Sequence, residues 1–319
     1  MARRNLAGLL ALVLAASLLT ACRDENGKLT VRVPGTKTTP TGAPSPVRGE
    51  VVVVAGDLVC SAEQETAAAG SRAQCQSEAT AALAKSVSPD AVLFPGDIQY
   101  DRGTKAEYAQ VWAKSSWARF KSITYAAVGN HEYSTTDAAP YFATFGARAG
   151  PRDRGYYSAD IGTWHVIALN SNCQPAGGCG PGSPQERWLR ADLAAAAAAG
   201  RECTLAFWHH PRWSSGYHGS DESMEPLWAA LADRDAELVV AGHDHHYERF
   251  APKRGVRQFI AGTGGRSLYP TLGVERGSEI RESSTFGVLE LRLGDGEYGW
   301  KFHGIGDATF TDSGREACH

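Results

Sequence analysis

The stretch AVLFPGDIQY, residues 91–100, ends an unbroken apolar run on Gly96 and Asp97. A short run of this kind, closed by a turn signal, reads as a strand buried on both faces. The pattern recurs in VVVVAGD (51–57), ITYAAVGNH (123–131), WHVIALNS (164–171), CTLAFWHH (203–210) and AELVVAGHDHH (236–246). Between several of these runs lie helix candidates at 61–86, 104–120, 185–199 and 225–234. In the third, Ser183 and Glu186 match a capping box, Pro184 suits the first turn and Gly200 closes the alanine run. The alternation predicts an α/β fold, mainly parallel sheet with helices outside. After residue 256 the runs RQFIAGTG, FGVLELRL and YGWKFHG carry turn signals and little helix, and predict a closing antiparallel set.

The 319 residues are 43% hydrophobic, enough for a substantial core, and no internal repeat or second domain boundary stands out. Lys and Arg (32) nearly balance Asp and Glu (35), so charge offers no argument for nucleic acid or a membrane surface as partner. The N-terminus pairs a basic MARRN with the apolar LAGLLALVLAASLL, too short to span a bilayer comfortably and matching an export signal over 1–21. Leu19-Thr20-Ala21-Cys22 resembles a bacterial lipobox. The expectation is a cell-envelope lipoprotein anchored at Cys22, or otherwise a secreted protein. Residues 22–49, rich in Thr, Pro and Gly, read as a disordered tether, and 50–310 as one catalytic domain. Six further cysteines in an exported chain predict three disulfides out of fifteen possible pairings. Short loops favour Cys60–Cys75 and Cys173–Cys179, leaving Cys203 with Cys318.

Polar residues follow directly on the apolar runs. In open α/β sheets ligands bind beyond the carboxyl ends of strands, so Asp57, Asp97 with Tyr100, Asn130-His131, His209 and His243-x-His245 are expected to share one rim. Each motif alone is weak, since Gly-Asp after a strand is more often a turn. Their joint occurrence in this order marks a site. Successive side chains on a strand point to opposite faces, so only one of His209 and His210 is expected to ligate, and the pattern does not choose between them. On a continuing strand His243 and His245 face one side, while His246 faces away with Tyr247 and Glu248 as supporting structure. His165 and His303 sit in strand-like runs without companions and read as packing residues.

The stretches GDLV (56–59), GDIQY (96–100), GNHE (129–132), WHHP (208–211) and GHDHHYER (242–249) resemble the calcineurin-like metallophosphoesterases, and within them the purple acid phosphatases. The resemblance covers about 50–250. It implies a four-layer αββα sandwich of two mixed sheets flanked by helices, and two metal ions bridged by Asp97. It places Asp57, Tyr100 and His245 on the first metal, and Asn130, His209 and His243 on the second; the His-x-Pro arrangement selects His209 over His210. Val59 stands where many of the wider superfamily carry a metal-binding histidine, and Tyr100 supplies the replacement ligand. An anionic phenolate at the first site, against neutral Asn and His at the second, favours Fe(III) paired with Fe(II), Zn(II) or Mn(II).

His131 matches the family residue that meets the ester oxygen, and His218 in RWSSGYHGS matches one of two phosphate-contacting histidines of plant members, the other being replaced by Gly219. The implied activity is hydrolysis of phosphate monoesters by a metal-activated hydroxide, with His131 and His218 as catalytic, substrate-binding residues. A phosphodiesterase or nucleotidase on the same site is the alternative among enzymes. A lipid-anchored protein that binds metal or phosphate without turnover is the alternative outside them. The loops at 134–155, 172–184 and 213–223 would set access.

Overall fold

The computed structural model describes residues 21–23, 29–31, 47–63 and 75–319. The chain divides into two units between Ser45 and Pro46. Of the first, the described part is an antiparallel ladder of β1 (Ala21–Arg23) with β2 (Leu29–Val31). The expected export signal and tether lie otherwise outside the described residues up to 46, as do the side chain of Cys22 and residues 64–74 of the first helix candidate.

The second unit holds two mixed sheets. The first runs β15 (Ser313–Ala317), β14 (Glu297–Gly304), β13 (Gly287–Gly294), β3 (Gly49–Val54), β4 (Ala91–Pro95), β5 (Thr124–Ala127). The second runs β12 (Ser278–Glu282), β10 (Tyr247–Phe250), β11 (Arg257–Ala261), β9 (Leu238–Ala241), β8 (Thr204–Phe207), β7 (Trp164–Ala168), β6 (Tyr157–Ile161). The strands read from apolar runs are parallel: β3 with β4 and β4 with β5, then β7 with β8 and β8 with β9. The expected closing antiparallel set forms in part: β11 pairs antiparallel with β10 but in parallel with β9, and β13 and β14 are antiparallel and extend the first sheet beside β3.

The period-two alternation of strand side chains sorts the core into layers. Val52, Val54 and Leu93 of one sheet meet Val166, Leu205 and Val240 of the other. Their neighbours Val53, Val92 and Phe94 face outward onto helices α1 (Ser77–Val87), α2 (Lys105–Gln110) and α3 (Ala139–Phe145). On the other sheet Ile167, Ala206 and Val239 face α4 (Pro184–Ala198) and α5 (Glu225–Ala232). Helix, sheet, sheet and helix therefore stack as four layers, as the resemblance implied.

Ser183 caps α4 by accepting from Glu186 N at 3.2 Å, but the Glu186 carboxylate turns to Gly182 N, so the expected box is half made. The full box belongs to Thr104 and Glu107 on α2. The candidate at 104–120 breaks after Gln110 into 3₁₀ turns over Trp112–Lys114 and Ser116–Ile123. Trp112 and Trp117 lie about 140° apart on one α-helix, so a single helix would bury only one of them; the break buries both. All three expected disulfides form, Cys60–Cys75, Cys173–Cys179 and Cys203–Cys318. Among the described residues no helix is long and apolar enough to cross a membrane.

Candidate metal centre

Asp57 follows β3, Asp97 follows β4, Asn130 and His131 follow β5, His209 follows β8 and His243 follows β9. Three of these strands belong to one sheet and two to the other, so the rim forms where the two sheets open together. Asp57, Asp97 and His243 take left-handed backbone at φ 58°, 49° and 69°. That region costs on the order of 1 kcal/mol for an ordinary residue, and it throws each side chain off its strand into the shared space. A side chain on Gly96, at φ 91°, would place Cβ 2.5 Å from His209 Nδ1, and one on Gly129 would overlap Asp97 Oδ1. The glycines of these motifs leave room for the polar residues of neighbouring strands.

The hydrogen-bond pattern shows what this space accommodates. His245 Nδ1 lies 2.6 Å from the Ser267 carbonyl and His209 Nδ1 lies 2.8 Å from the Pro95 carbonyl. Each Nδ1 donates there, so each Nε2 turns a lone pair inward. His245 Nε2 stands 3.0 Å from the Tyr100 hydroxyl and 3.3 Å from Asp57 Oδ1. His209 Nε2 stands 2.9 Å from Asn130 Oδ1, 3.2 Å from Asp97 Oδ2 and 3.2 Å from His243 Nδ1. The Tyr100 hydroxyl is also 2.8 Å from Asp57 Oδ1 and 3.1 Å from Asp97 Oδ2, one proton among three acceptors. Lone pairs converge here with too few protons to satisfy them, as a cation site requires. Ligand atoms of the buried Asp57, Asp97 and His209 lie within 4.8 Å of one another.

The electrostatics agree. Burial alone would lower the pKa of His209, but Asp97 and then Asp57 raise it to about 9, so the carboxylates that would otherwise draw a proton onto Nε2 favour a metal ion in its place. Burial would raise the Asp97 carboxyl, but His209 and His131 hold it below the usual carboxylate range. Burial and then His209 and His210 hold His243 far below an ordinary histidine. Burial, with Asp57 and Asp97 beside it, pushes the Tyr100 phenol well above its ordinary value. A phenolate at Tyr100 therefore calls for a strongly charged cation.

All seven expected ligands, Asp57, Asp97, Tyr100, Asn130, His209, His243 and His245, thus meet in one place. Two of the reasons given from sequence are corrected. β9 ends at Ala241, so His243 and His245 lie on a turn, and the left-handed φ of His243 brings both inward rather than strand alternation. β8 likewise ends at Phe207, so His209 and His210 do not take opposite faces; ligand atoms of His209, His210 and His243 also gather within 4.8 Å. His210 is set apart by Ser171, whose hydroxyl sits 2.7 Å from its Nδ1 and accepts from its backbone N at 2.9 Å. Burial and His209 push the His210 pKa down to about 3.

His131 Nδ1 bonds the Asp101 carbonyl and the ring packs 4.4 Å from Tyr100, which leaves Nε2 toward the centre, 3.8 Å from Asp97 Oδ2. His218 is exposed, with its ring 4.3 Å from His243 and its backbone N donating to Asp244 Oδ1 at 2.9 Å. His165 and His303 stay away from the site but do have companions: Asp192 at 2.9 Å and Asp160 at 3.3 Å for the first, Glu290 at 2.6 Å for the second.

Sequence reasoning missed two organising carboxylates. Buried Glu132 accepts from the backbone N of Asp97, Ile98 and Gly129 at 3.0, 2.9 and 2.8 Å, and from Tyr108 at 3.2 Å. It locks the Asp97 turn to the Asn130-His131 turn, and its place in GNHE was the available signal. Buried Asp244, between His243 and His245, accepts from Ser214 and from His218 N and so fixes the 214–218 loop. Tyr269 stacks on His245 at 4.1 Å and 10°, and carried no sequence signal.

The family model for calcineurin-like phosphoesterases matches residues 51–247. An uncharacterized protein of Mycobacterium tuberculosis is 30% identical over 62% of this chain and 37% of its own length. Purple acid phosphatase 22 of Arabidopsis thaliana is 27% identical over 73% of this chain and 59% of its own. The chain thus spans well under two thirds of these relatives. Among solved structures, a purple acid phosphatase from yellow lupin (Lupinus luteus) seeds shares the fold at a TM-score of 0.72 and 19% identity, covering 93% of this chain and 58% of that one. A dimetal phosphatase from Danio rerio does so at 0.57 and 13%, covering 86% and 100%. The matched region runs from the first strand of the first sheet to the histidine turn after β9, and the chain belongs to the calcineurin-like phosphoesterases.

Proposed function

We propose that the chain is a binuclear-metal phosphoesterase of the purple acid phosphatase type that hydrolyses phosphate monoesters. The observation that carries this is the Tyr100 hydroxyl, held within 3.1 Å of Asp57, Asp97 and His245. Asp57, Tyr100 and His245 would hold the first ion, Asn130, His209 and His243 the second, and Asp97 both. Oxygen and imidazole donors of this kind suit Fe(III) at the first position with Fe(II), Zn(II) or Mn(II) at the second. When bound, such a pair neutralises phosphoryl charge and lowers the pKa of water.

The chain's own groups then have defined tasks. Ser267 and Pro95 fix the His245 and His209 tautomers so that each Nε2 stays a ligand. Glu132 holds the Asp97 and Gly129–His131 turns in register. His131 Nδ1–H donates to the Asp101 carbonyl, so a proton carried on Nε2 is aimed at the departing alcohol oxygen. His218, anchored through its backbone to Asp244, stands at the mouth to meet phosphoryl oxygens. The plant phosphatase relatives favour a monoester, although the ligands alone serve a diesterase equally. Multiple-turnover assays of the metal-loaded protein on p-nitrophenyl phosphate and its bis ester decide. The monoester is expected to be turned over at least about tenfold faster, a barrier difference of about 1.4 kcal/mol. Preference for the bis ester would make the protein a phosphodiesterase, and stoichiometric capture without turnover would make it a binding protein.

A further inference from the structure

Tyr217, Leu272 and Val274 are the large hydrophobic side chains left exposed among the described residues, at 63%, 67% and 69%. Single exposed hydrophobics are ordinary, but these three share one place. They sit on two loops tied together by Ser215, whose carbonyl accepts from Leu272 N at 2.9 Å and whose hydroxyl accepts from Glu275 N at 2.8 Å. The same hydroxyl donates to buried Glu248 at 2.6 Å, which anchors the tie in the core. From this patch a row of rings leads inward. Tyr217 lies 5.2 Å from His218 and 6.0 Å from Tyr269; Tyr269 stacks on His245, and His218 packs on His243.

We propose that Tyr217, Tyr269, Leu272 and Val274 form a wall that binds the apolar part of the substrate, so that the preferred esters are those of aryl or other apolar alcohols. The inference rests on the phosphoesterase reading above and adds a substrate class to it. Continuity decides the occupant: rings 4.1–6.0 Å apart lead in succession from the exposed tyrosine to imidazoles of the metal-site candidates, so whatever covers them is also held at the centre. Tyrosine faces suit this task because they offer a large rigid contact area at small entropic cost.

The variants Tyr217→Ala and Leu272→Ser alter exposed positions and leave the core packing intact. With the metal-loaded protein, each is expected to raise KM for 1-naphthyl phosphate about five- to tenfold, as loss of apolar contact predicts. KM for glycerol 2-phosphate and kcat for both esters should stay within about twofold. Equal changes for the two esters, or none, overturn the wall. So would an unchanged KM ratio accompanied by lost binding to phosphatidylglycerol vesicles, or by lost self-association, since either gives the patch another occupant. Calorimetry with phenylphosphonate and methylphosphonate reads the wall without turnover. A phenyl preference in wild type that Tyr217→Ala removes, in a protein that hydrolyses no ester, would keep the wall and discard the hydrolase reading. Equal affinity of wild type for both phosphonates would discard the wall.

Discussion

At the scale of single residues, neighbouring positions take different tasks because the backbone turns between them. Asn130 aims its side-chain oxygen at His209 Nε2, whereas His131 commits Nδ1 to the Asp101 carbonyl and keeps Nε2 for a proton. Asn130→Ala is therefore expected to lose the second metal, while His131→Ala retains both and lowers kcat by about 10²–10⁴. Metal analysis beside steady-state rates checks the division; equal metal loss in both variants would end it. Asp57, Asp97, His209 and His243 were legible in the sequence because each follows a glycine or tryptophan directly after an apolar run, and Tyr100, His131 and His245 because they stand within three residues of such a position. Glu132 and Asp244 stood inside GNHE and GHDHHYER, but their roles were hidden, since a buried carboxylate that binds backbone N–H groups has no spacing rule of its own.

At the scale of elements, the parallel strands were legible, the edge strand β5 among them, and the antiparallel edges were not. β6 (YSADI), β12 (SEIRE) and β15 (SGREA) carry few apolar residues, because edge strands are half solvated and owe their form to one paired neighbour. β10 (YERF) stood masked behind the histidine cluster and buries Glu248 against Ser215 and His246. His165 on β7 shows how such edges are tied, since it joins Asp160 of β6 to Asp192 of α4. Burial alone would lower its pKa from 6.5, but Asp192 and then Asp160 raise it on balance. A raised histidine contributes stability that is fully present below its unfolded value and lost as pH climbs through the folded one. His165→Gln should thus cost about 1 kcal/mol at pH 5.5, discounted for the half-exposed Asp160, and well under half that at pH 9. Urea unfolding at the two pH values tests this, and an equal cost at both would refute the ion-pair account.

At the scale of the whole molecule, the centre depends on two sheets keeping their relation, since its ligands come from both. The C-terminal segment contributes to that relation. Cys318 bonds Cys203, the residue before β8, closing a loop with a sequence separation of 115, worth on the order of 5 kcal/mol in chain-entropy terms. Arg257 of β11 in one sheet pairs with Glu316 of β15 in the other, and Tyr247 of β10 and Arg249 both donate to Asp312 at 2.7 Å. None of these long-range ties except the disulfide was legible, because a charged pair between distant segments leaves no periodic trace.

What the assembled scaffold holds up is the phenol of Tyr100 between two carboxylates and an imidazole. The direct test is therefore metal content and visible absorption of the purified protein beside Tyr100→Phe. The account predicts two metal ions per chain, iron among them, and a phenolate-to-iron band that disappears in the variant. A band that survives Tyr100→Phe, or a wild-type protein that binds no metal, would contradict it.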